Sequence, residues 1–310
     1  YGRRKMELTD RVLARLYAGE VSGDRLATEL GVSRTAVWKC VNRLKEQGVV
    51  IGSAANRGYR LISDDALLGG VLAPHIRTDW QAVITESATS TNDVAKRLAG
   101  EGADRVAVIA PSQSAGRGRL DRAFVSPPGG LYMSAVLRPH IPATDSGLVT
   151  AYAAVCVARA IERLTDLQAE IKWVNDVFVS GRKVCGILTE GGVGMEGGTL
   201  DYAVVGIGVN VADVPLPEVA TSLERESGKR VSRLALAAEI LDGLAALREE
   251  TISRAFLDEY RSRSCVIGRD VLIGGRTPAH AVGIDDDCAL IVTHDGVTER
   301  LTAGEVSVTL

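Results

Sequence analysis

The residue types best suited to chemistry are concentrated between Ser112 and Leu137, in SQSAGRGRLDRAFVSPPGGLYMSAVL. Arg117, Arg119 and Arg122 alternate there with Gly116 and Gly118. Glycine lets backbone N–H groups approach a ligand closely and gives a loop wide φ/ψ freedom. Guanidinium groups interleaved with it can hydrogen-bond an anion from several sides. A short Arg/Gly run by itself equally fits a solvated surface loop. Three clusters further along favour the anion site: Lys172-Trp173-Val174-Asn175-Asp176, Lys183-Val184-Cys185-Gly186-Ile187-Leu188 and Gly206-Ile207-Gly208-Val209-Asn210.

A chain of 310 residues is too long for one small core, so two or three domains are expected. With 46% apolar and 24% charged residues it has the balance of a water-soluble globular protein. No apolar run approaches the ~18 to 20 residues that cross a bilayer. The opening YGRRKMELTD lacks the apolar stretch of a signal peptide, which points to the cytoplasm and no membrane partner. Five scattered cysteines without C-x-x-C spacing suggest neither disulfides nor zinc, and four dispersed histidines form no metal motif, so no dedicated metal site is expected. Through Asp64 there are 12 Lys/Arg against 7 Asp/Glu, leaving 24 against 32 in the remainder. A basic head on an acidic body hints at nucleic acid binding by the N-terminus.

The elements that must position these residues can be taken in chain order. Leu8, Val12, Leu13 and Leu16 give a helical period from Met6 to Gly19. A second helix opens at Ser22-Gly23 and ends near Leu30-Gly31. A third, with Ser33 as its N-cap, runs to about Gln47. Its apolar face is Val37, Val41 and Leu44, while Arg34, Thr35, Trp38, Lys39, Asn42 and Arg43 point elsewhere. Two helices joined by Gly31-Val32-Ser33, followed by a hairpin around Asn56-Arg57, read as a winged helix-turn-helix. That assigns Ser33, Arg34, Thr35, Lys39, Asn42, Arg43 and Arg57 to DNA, with Trp38 either in the core or at the groove. An ordinary three-helix unit with a charged face is the alternative.

Ser63 to Gly70 looks like a linker. Beyond it come a helix from Asp93 to about Ala99, strands at Arg105–Pro111 and Leu131–Leu137, and an Ala-rich helix from Ala151 to Leu164. Strand-like runs at Ala169–Phe178 and Lys183–Glu190 flank a turn at Val179-Ser180-Gly181-Arg182. Tyr202 to Val211 is a further buried strand, residues 214–232 read as loop, and Leu234 to Arg261 as one or two amphipathic helices. Such an order indicates an α+β domain. Past Cys265, about five short strands punctuated by glycine and aspartate suggest a small SH3-like β-barrel. The expected division is 6–64, 65–263 and 264–310.

The motif set, in this order and spacing, resembles that of the biotin–protein ligases. With the N-terminal winged helix it is similar to their bifunctional form, which also represses the biotin operon. The resemblance runs from about Leu8 to the C-terminus and implies a central mixed α/β domain of the class II synthetase and biotin ligase type. It implies a two-step reaction, in which ATP, with Mg²⁺, activates biotin as biotinyl-5′-adenylate. The acyl group then passes to a lysine of the biotin carboxyl carrier protein of acetyl-CoA carboxylase. Biotin's ureido head, carboxylate and adenylate would meet Ser90, Thr91, Asn92, Gln113, Gly116, Arg117, Gly118, Arg119, Tyr132, Ser134, Lys183, Gly186, Gly206 and Gly208. Arg122, Phe124, Lys172, Asn175 and Asn210 would serve the nucleotide. Lys183, Arg117 and Arg119 would stabilise the charge, and Asp176 would orient or deprotonate the acceptor amine. Taken singly, each glycine could be a strand packing point and Asn175-Asp176 a simple strand turn.

Three positions depart from the common pattern of the family. Asp121 stands where the loop usually has glycine, Phe124 replaces a tryptophan and loses its N–H donor, and Val174 replaces a proline. The resemblance also implies operator DNA as a partner and a homodimer when the adenylate is bound.

Overall fold

In the computed structural model the described residues are 8–46, 49–54, 58–63, 76–85, 87–139, 141–193, 198–247, 253–304 and 306–308. The first helices are α1 (Leu8–Tyr17), α2 (Gly23–Leu30) and α3 (Arg34–Glu46). Ser22 Oγ caps α2 by accepting from Arg25 N at 3.2 Å. That helix ends where Gly31 takes φ 67°, a left-handed conformation without penalty for glycine. Ser33 Oγ then caps α3 through Ala36 N at 3.1 Å. Leu13, Leu16, Leu26, Val37, Val41 and Leu44 are buried and close the three helices on one another. An antiparallel ribbon follows, β1 (Val50–Ala54) with β2 (Gly58–Ser63). A bridge between Val21 and Tyr59 ties it to the helices. The hairpin tip at Asn56-Arg57 and the linker at 64–70 lie outside the described residues.

The central domain is a seven-stranded sheet of order β3-β4-β5-β9-β8-β7-β6. Its strands are β3 (Gln81–Ile84), β4 (Val106–Ala110), β5 (Leu131–Leu137), β6 (Glu170–Lys172), β7 (Asp176–Val179), β8 (Arg182–Val193) and β9 (Leu200–Val209). Only the β3–β4 pair is parallel. Successive side chains of a strand point to opposite faces, so the fully buried runs of β4 and β5 need cover on both sides. Helix α4 (Thr91–Gly100) supplies one cover, packing Ala95 and Ala99 on Val108, Val136 and Val204. Helix α5 (Ser146–Leu164) belongs to the larger core on the other face, with Ile109, Met133, Val205 and Ile207.

Several expected boundaries shift. Helix α5 begins at Ser146, not Ala151, because Leu148 and Val149 are buried and packing outweighs the weak propensity of Ser146 and Gly147. The run Ala169–Phe178 is two strands, β6 and β7, joined by a turn at 173–175. There the Trp173 indole turns away and donates to Cys288 O at 2.8 Å. The stretch 214–232 holds a short helix, α6 (Leu223–Ser227), capped by Ser222. After it come α7 (Arg233–Leu244) and α8 (Leu257–Ser262).

The C-terminal unit is an antiparallel sheet of order β13-β12-β11-β10-β14. It comprises β10 (Asp270–Ile273), β11 (Thr277–Ile284), β12 (Leu290–His294), β13 (Val297–Leu301) and β14 (Val306–Val308). Among the described residues β13 and β14 do not pair, so the expected barrel is not closed. Exposed Glu299 and Arg300 on β13 suit a charged, open edge. The sheet is fastened to the central domain along β6: Ile171 N donates to Arg263 O at 2.8 Å and Cys265 N to Ile171 O at 3.0 Å.

Beside that junction Arg263, at the end of α8, ties α8 to α5, donating to both Glu162 oxygens at 2.6 and 2.8 Å and to Glu259 at 2.9 Å. Those hydrogen bonds outweigh burial and hold the Glu162 carboxyl below the usual range; Glu259 is lowered likewise, by Arg159 first and then Arg263. Replacing Arg263 with alanine should cost roughly 1–2 kcal/mol, the worth of charge-assisted bonds discounted for partial exposure. Urea unfolding of wild type and variant would measure it. Because the folded carboxyl values are depressed, this contribution is complete above about pH 4.3 and disappears as pH falls through the lower folded values. The two unfolding curves should therefore converge in acid.

Candidate active site

Strands β7 and β8 pair Asp176 with Gly186 and Val177 with Cys185, then slip so that Phe178 faces Lys183. This local bulge re-aims one strand against the other. It leaves Lys183 Nζ 2.7 Å from Asp176 Oδ1. The contact is one of charge, without hydrogen-bond angles, so the buried Oδ1 accepts no hydrogen bond among the described residues. Lys183 Nζ also stands 5.9 Å from the centre of the Phe124 ring, within cation–π range. Asn175 is fixed by two bonds to Ile187, Nδ2 to its carbonyl and its own carbonyl from Ile187 N, each 2.9 Å. Its Oδ1 accepts from Arg119 Nη1 at 3.3 Å.

The arginine loop is folded back on itself. Phe124 N donates to Gly116 O at 2.8 Å and Gly118 N to Arg122 O at 2.7 Å. At the tip, Leu120 has φ 54° and is 70% exposed. Arg117 forms an ion pair with Asp93, at the start of α4. Asp93 lies 3.4 Å from Lys96, which pairs with Glu190 at 2.8 Å, and Glu190 accepts from Asn92 Nδ2 at 2.7 Å. Burial works against ionisation of Asp93 and Glu190. Arg117 and Lys96 outweigh it at Asp93, and Lys96 and Asn92 at Glu190, so both carboxyls stay below their ordinary values. Glu190, before burial opposes it, raises Lys96.

These parts enclose a cleft of about 170 Å³. Of the residues expected at biotin, Ser90, Thr91, Asn92 and Gln113 line it, as do Arg117, Gly118 and Arg119 from the loop and Lys183, Gly186, Gly206 and Gly208 from the sheet. Arg122, Phe124, Lys172 and Asn175, expected at the nucleotide, line the same cleft. A chain of polar contacts organises one end. Gln113 Oε1 accepts from Thr91 N at 2.8 Å, and Ser134 Oγ lies 2.6 Å from Asn92 Oδ1 and 2.7 Å from Thr91 Oγ1.

The glycines of β9 are required by close approach. A Cβ at Gly208 would sit 2.5 Å from the Phe124 ring, and one at Gly206 would sit 2.2 Å from Asn92 Oδ1.

Four expected residues stand behind the cleft surface. Gly116 anchors the loop through Phe124, and Ser134 supports Thr91 and Asn92. Tyr132 donates to Pro127 O at 2.7 Å, and burial raises its hydroxyl far above the usual value. Asn210 is buried, with Nδ2 donating to Thr221 O at 3.1 Å.

Sequence reasoning missed Asp93, Lys96 and Glu190. A signal existed, since Asp93 and Lys96 are one helical turn apart and Glu190 continues the alternating face of Gly186 and Leu188. It also missed Gly304 and Val306, which bring the C-terminal sheet to the cleft; no local pattern announces that contact.

On the winged helix, Ser33 is used as the cap, while Arg34, Thr35, Lys39 and Arg43 are exposed and Asn42 is half-buried. Arg34 lies 3.3 Å from Asp24. Arg57 lies outside the described residues.

Comparisons with known proteins agree with this layout. Residues 84–210 match the model of the Biotin/lipoate A/B protein ligase family, residues 9–60 an HTH domain, and residues 267–308 the Biotin protein ligase C terminal domain. The bifunctional ligase/repressor BirA of Bacillus spizizenii is 32% identical over 91% of this chain and 92% of its own length. BirA of Escherichia coli is 31% identical over 96% of each chain. The structure of the biotin protein ligase from Aquifex aeolicus in complex with biotin and ATP superposes with a TM-score of 0.62 at 27% identity, covering 74% of this chain and 98% of that one. With its helix-turn-helix head, ligase core and C-terminal sheet, the chain belongs to the biotin protein ligase family, in its bifunctional ligase/repressor branch.

Proposed function

We propose that the chain is an ATP-dependent biotin–protein ligase that also acts as a biotin-responsive repressor. The carrying observation is Lys183 poised against Asp176 in a cleft rimmed by the arginine loop. In the first step a biotin carboxylate oxygen attacks the α-phosphorus of ATP; a P–O bond forms, the α–β bridging P–O bond breaks and pyrophosphate leaves. Both reactants are anions, and their repulsion is about 4 kcal/mol at 4 Å in a protein-like medium. Lys183, Arg117 and Arg119 would offset it at the carboxylate and α-phosphate, with Lys172, Arg122 and Asn175 on the nucleotide side. Fixed donors around developing charge are usually the largest catalytic contribution.

Mg²⁺ fits as a companion of the triphosphate. Among the described residues no group of three His, Cys, Asp or Glu could hold a metal, whereas Asn175 offers a hard oxygen donor beside the cleft. When bound it supplies charge neutralisation on the phosphates.

In the second step the amine of a carrier-protein lysine attacks the acyl carbon, a C–N bond forms, and the C–O bond to AMP breaks. The amine must shed a proton although its ordinary pKa is about 10.4. Asp176, which lines the cleft beside Lys183, is the carboxylate placed for that task. The biotin carboxyl carrier protein of acetyl-CoA carboxylase is the acceptor this chemistry suits. For repression, the adenylate would favour a homodimer carrying two winged helices, matching a two-fold operator. Binding to the chain's own biotin-gene promoter should then tighten with biotin plus ATP, and equal binding without them would refute the coupling. These events are set in the cytoplasm.

A lipoate ligase would share the fold of the central domain. Incubation with each acid, ATP and the carrier separates the two, since a mass gain on a carrier lysine with biotin alone supports the assignment. Lys183→Ala should abolish pyrophosphate release, by about a thousandfold or more. Asp176→Asn should leave pyrophosphate release largely intact and slow transfer to the carrier by about a hundredfold; an equal loss in both steps would argue against its role with the amine. Asp93→Asn should weaken the hold on Arg117 and speed amide exchange across 116–124 by at most about fivefold, as befits a half-exposed ion pair. Since the Asp93 value is depressed, this tether persists above about pH 3.9 and fails only in stronger acid.

A further inference from the structure

We propose that Trp38 reads thymine methyl groups in the major groove of the DNA this chain recognises, an inference that rests on the repressor function proposed above. The three tryptophans are not alike. Trp80 and Trp173 are 8% and 3% exposed, and their indole N–H groups donate to Leu241 O and Cys288 O. Trp38 is 55% exposed and makes no hydrogen bond among the described residues. It is not needed by the core of the winged helix, because α3 already buries Val37, Cys40, Val41 and Leu44 on its inner side.

The surroundings of Trp38 select the partner. Arg34 and Asn42 lie four residues to either side and Thr35 three residues before, so all share its helical face. Lys39 and Arg43 flank that face, and the first turn of α3 holds no acidic residue. An occupant must therefore be anionic around the edge and apolar where the indole projects. The major groove has that pattern, with phosphates on both walls and the thymine 5-methyl as the apolar group on its floor. Trp38 lies in the second turn of the helix whose N-terminal part enters the groove in helix-turn-helix proteins.

The test uses the full chain with biotin and ATP. A duplex is enriched from a random pool, and binding is compared between wild type and Trp38→Ala on that duplex and on an unrelated one. The variant should lose about tenfold or more on the enriched duplex. It should bind the unrelated duplex, held through phosphates, as wild type does. Pyrophosphate release and thermal unfolding should be unchanged. Replacing contacted thymines by deoxyuridine should weaken wild type about fourfold for each methyl lost and leave Trp38→Ala indifferent. Iodide should quench Trp38 emission in the free protein and lose access when the enriched duplex binds. If the variant keeps full preference, if it weakens equally on both duplexes, or if wild type ignores the missing methyls, Trp38 is not a base reader. If wild type enriches no sequence, the repressor function itself fails and this inference with it.

Discussion

Two anions have to be brought to bonding distance, and much of the central domain can be understood as the frame for the cations that permit it. The cations come from distinct supports. Lys183 is carried on a sheet strand, where the slip between β7 and β8 fixes its direction and Asp176 takes up part of its charge at 2.7 Å. Arg117, Arg119 and Arg122 ride on a loop folded back on itself by backbone bonds, with Arg117 and Arg119 held by side chains from α4 and from the β6–β7 turn. The cations thus reach the cleft from two supports, one a sheet strand and the other a folded loop. Charge fixed in place by a folded framework needs little reorganisation to meet an anion.

That frame also explains why glycine is used where it is. The Phe124 ring rests over Gly208, and Asn92 reaches to Gly206; any β-carbon at either place would collide with a group that borders the cleft. The sheet surface is thus shaved flat under the ligand region while the same strands bury large side chains on their other face. Covering helices on both sides make this possible, because β9 can give up side-chain packing over two residues without losing its place in the core.

Much of this was legible in the sequence because the chemistry is carried by short, contiguous clusters. KVCGIL lies within β8, GIGVN at the end of β9 and KWVND around the β6–β7 turn, and the winged helix announces itself by Ser33, Gly31 and the helical period of α3. What escaped was non-local. The pairing of Arg117 with Asp93 joins residues from separate elements, and the wall formed by Gly304 and Val306 depends on how the C-terminal sheet docks on β6. The slip that aims Lys183 at Asp176 is a matter of register, which no residue pattern displays. The open edge at β13 was hidden for a similar reason: closure depends on whether two terminal strands meet, and strand count does not decide it.

Burial then separates the roles of chemically similar groups. Glu162 and Glu259 are engaged by arginines at the junction beneath the C-terminal sheet, where both partners are satisfied and nothing projects into the cleft. Asp176 is engaged by charge alone, with an oxygen that accepts no hydrogen bond. A fully satisfied carboxylate has no capacity left for an incoming donor, and its displacement costs the bonds it already makes. Asp176 instead borders the cleft with one lysine as its counter-ion, and so keeps room for a further donor. The same distinction divides the tryptophans: two are locked by their indole N–H groups, and one is left outside on a basic face. In each comparison, the group engaged by fewer bonds is the one that borders open space.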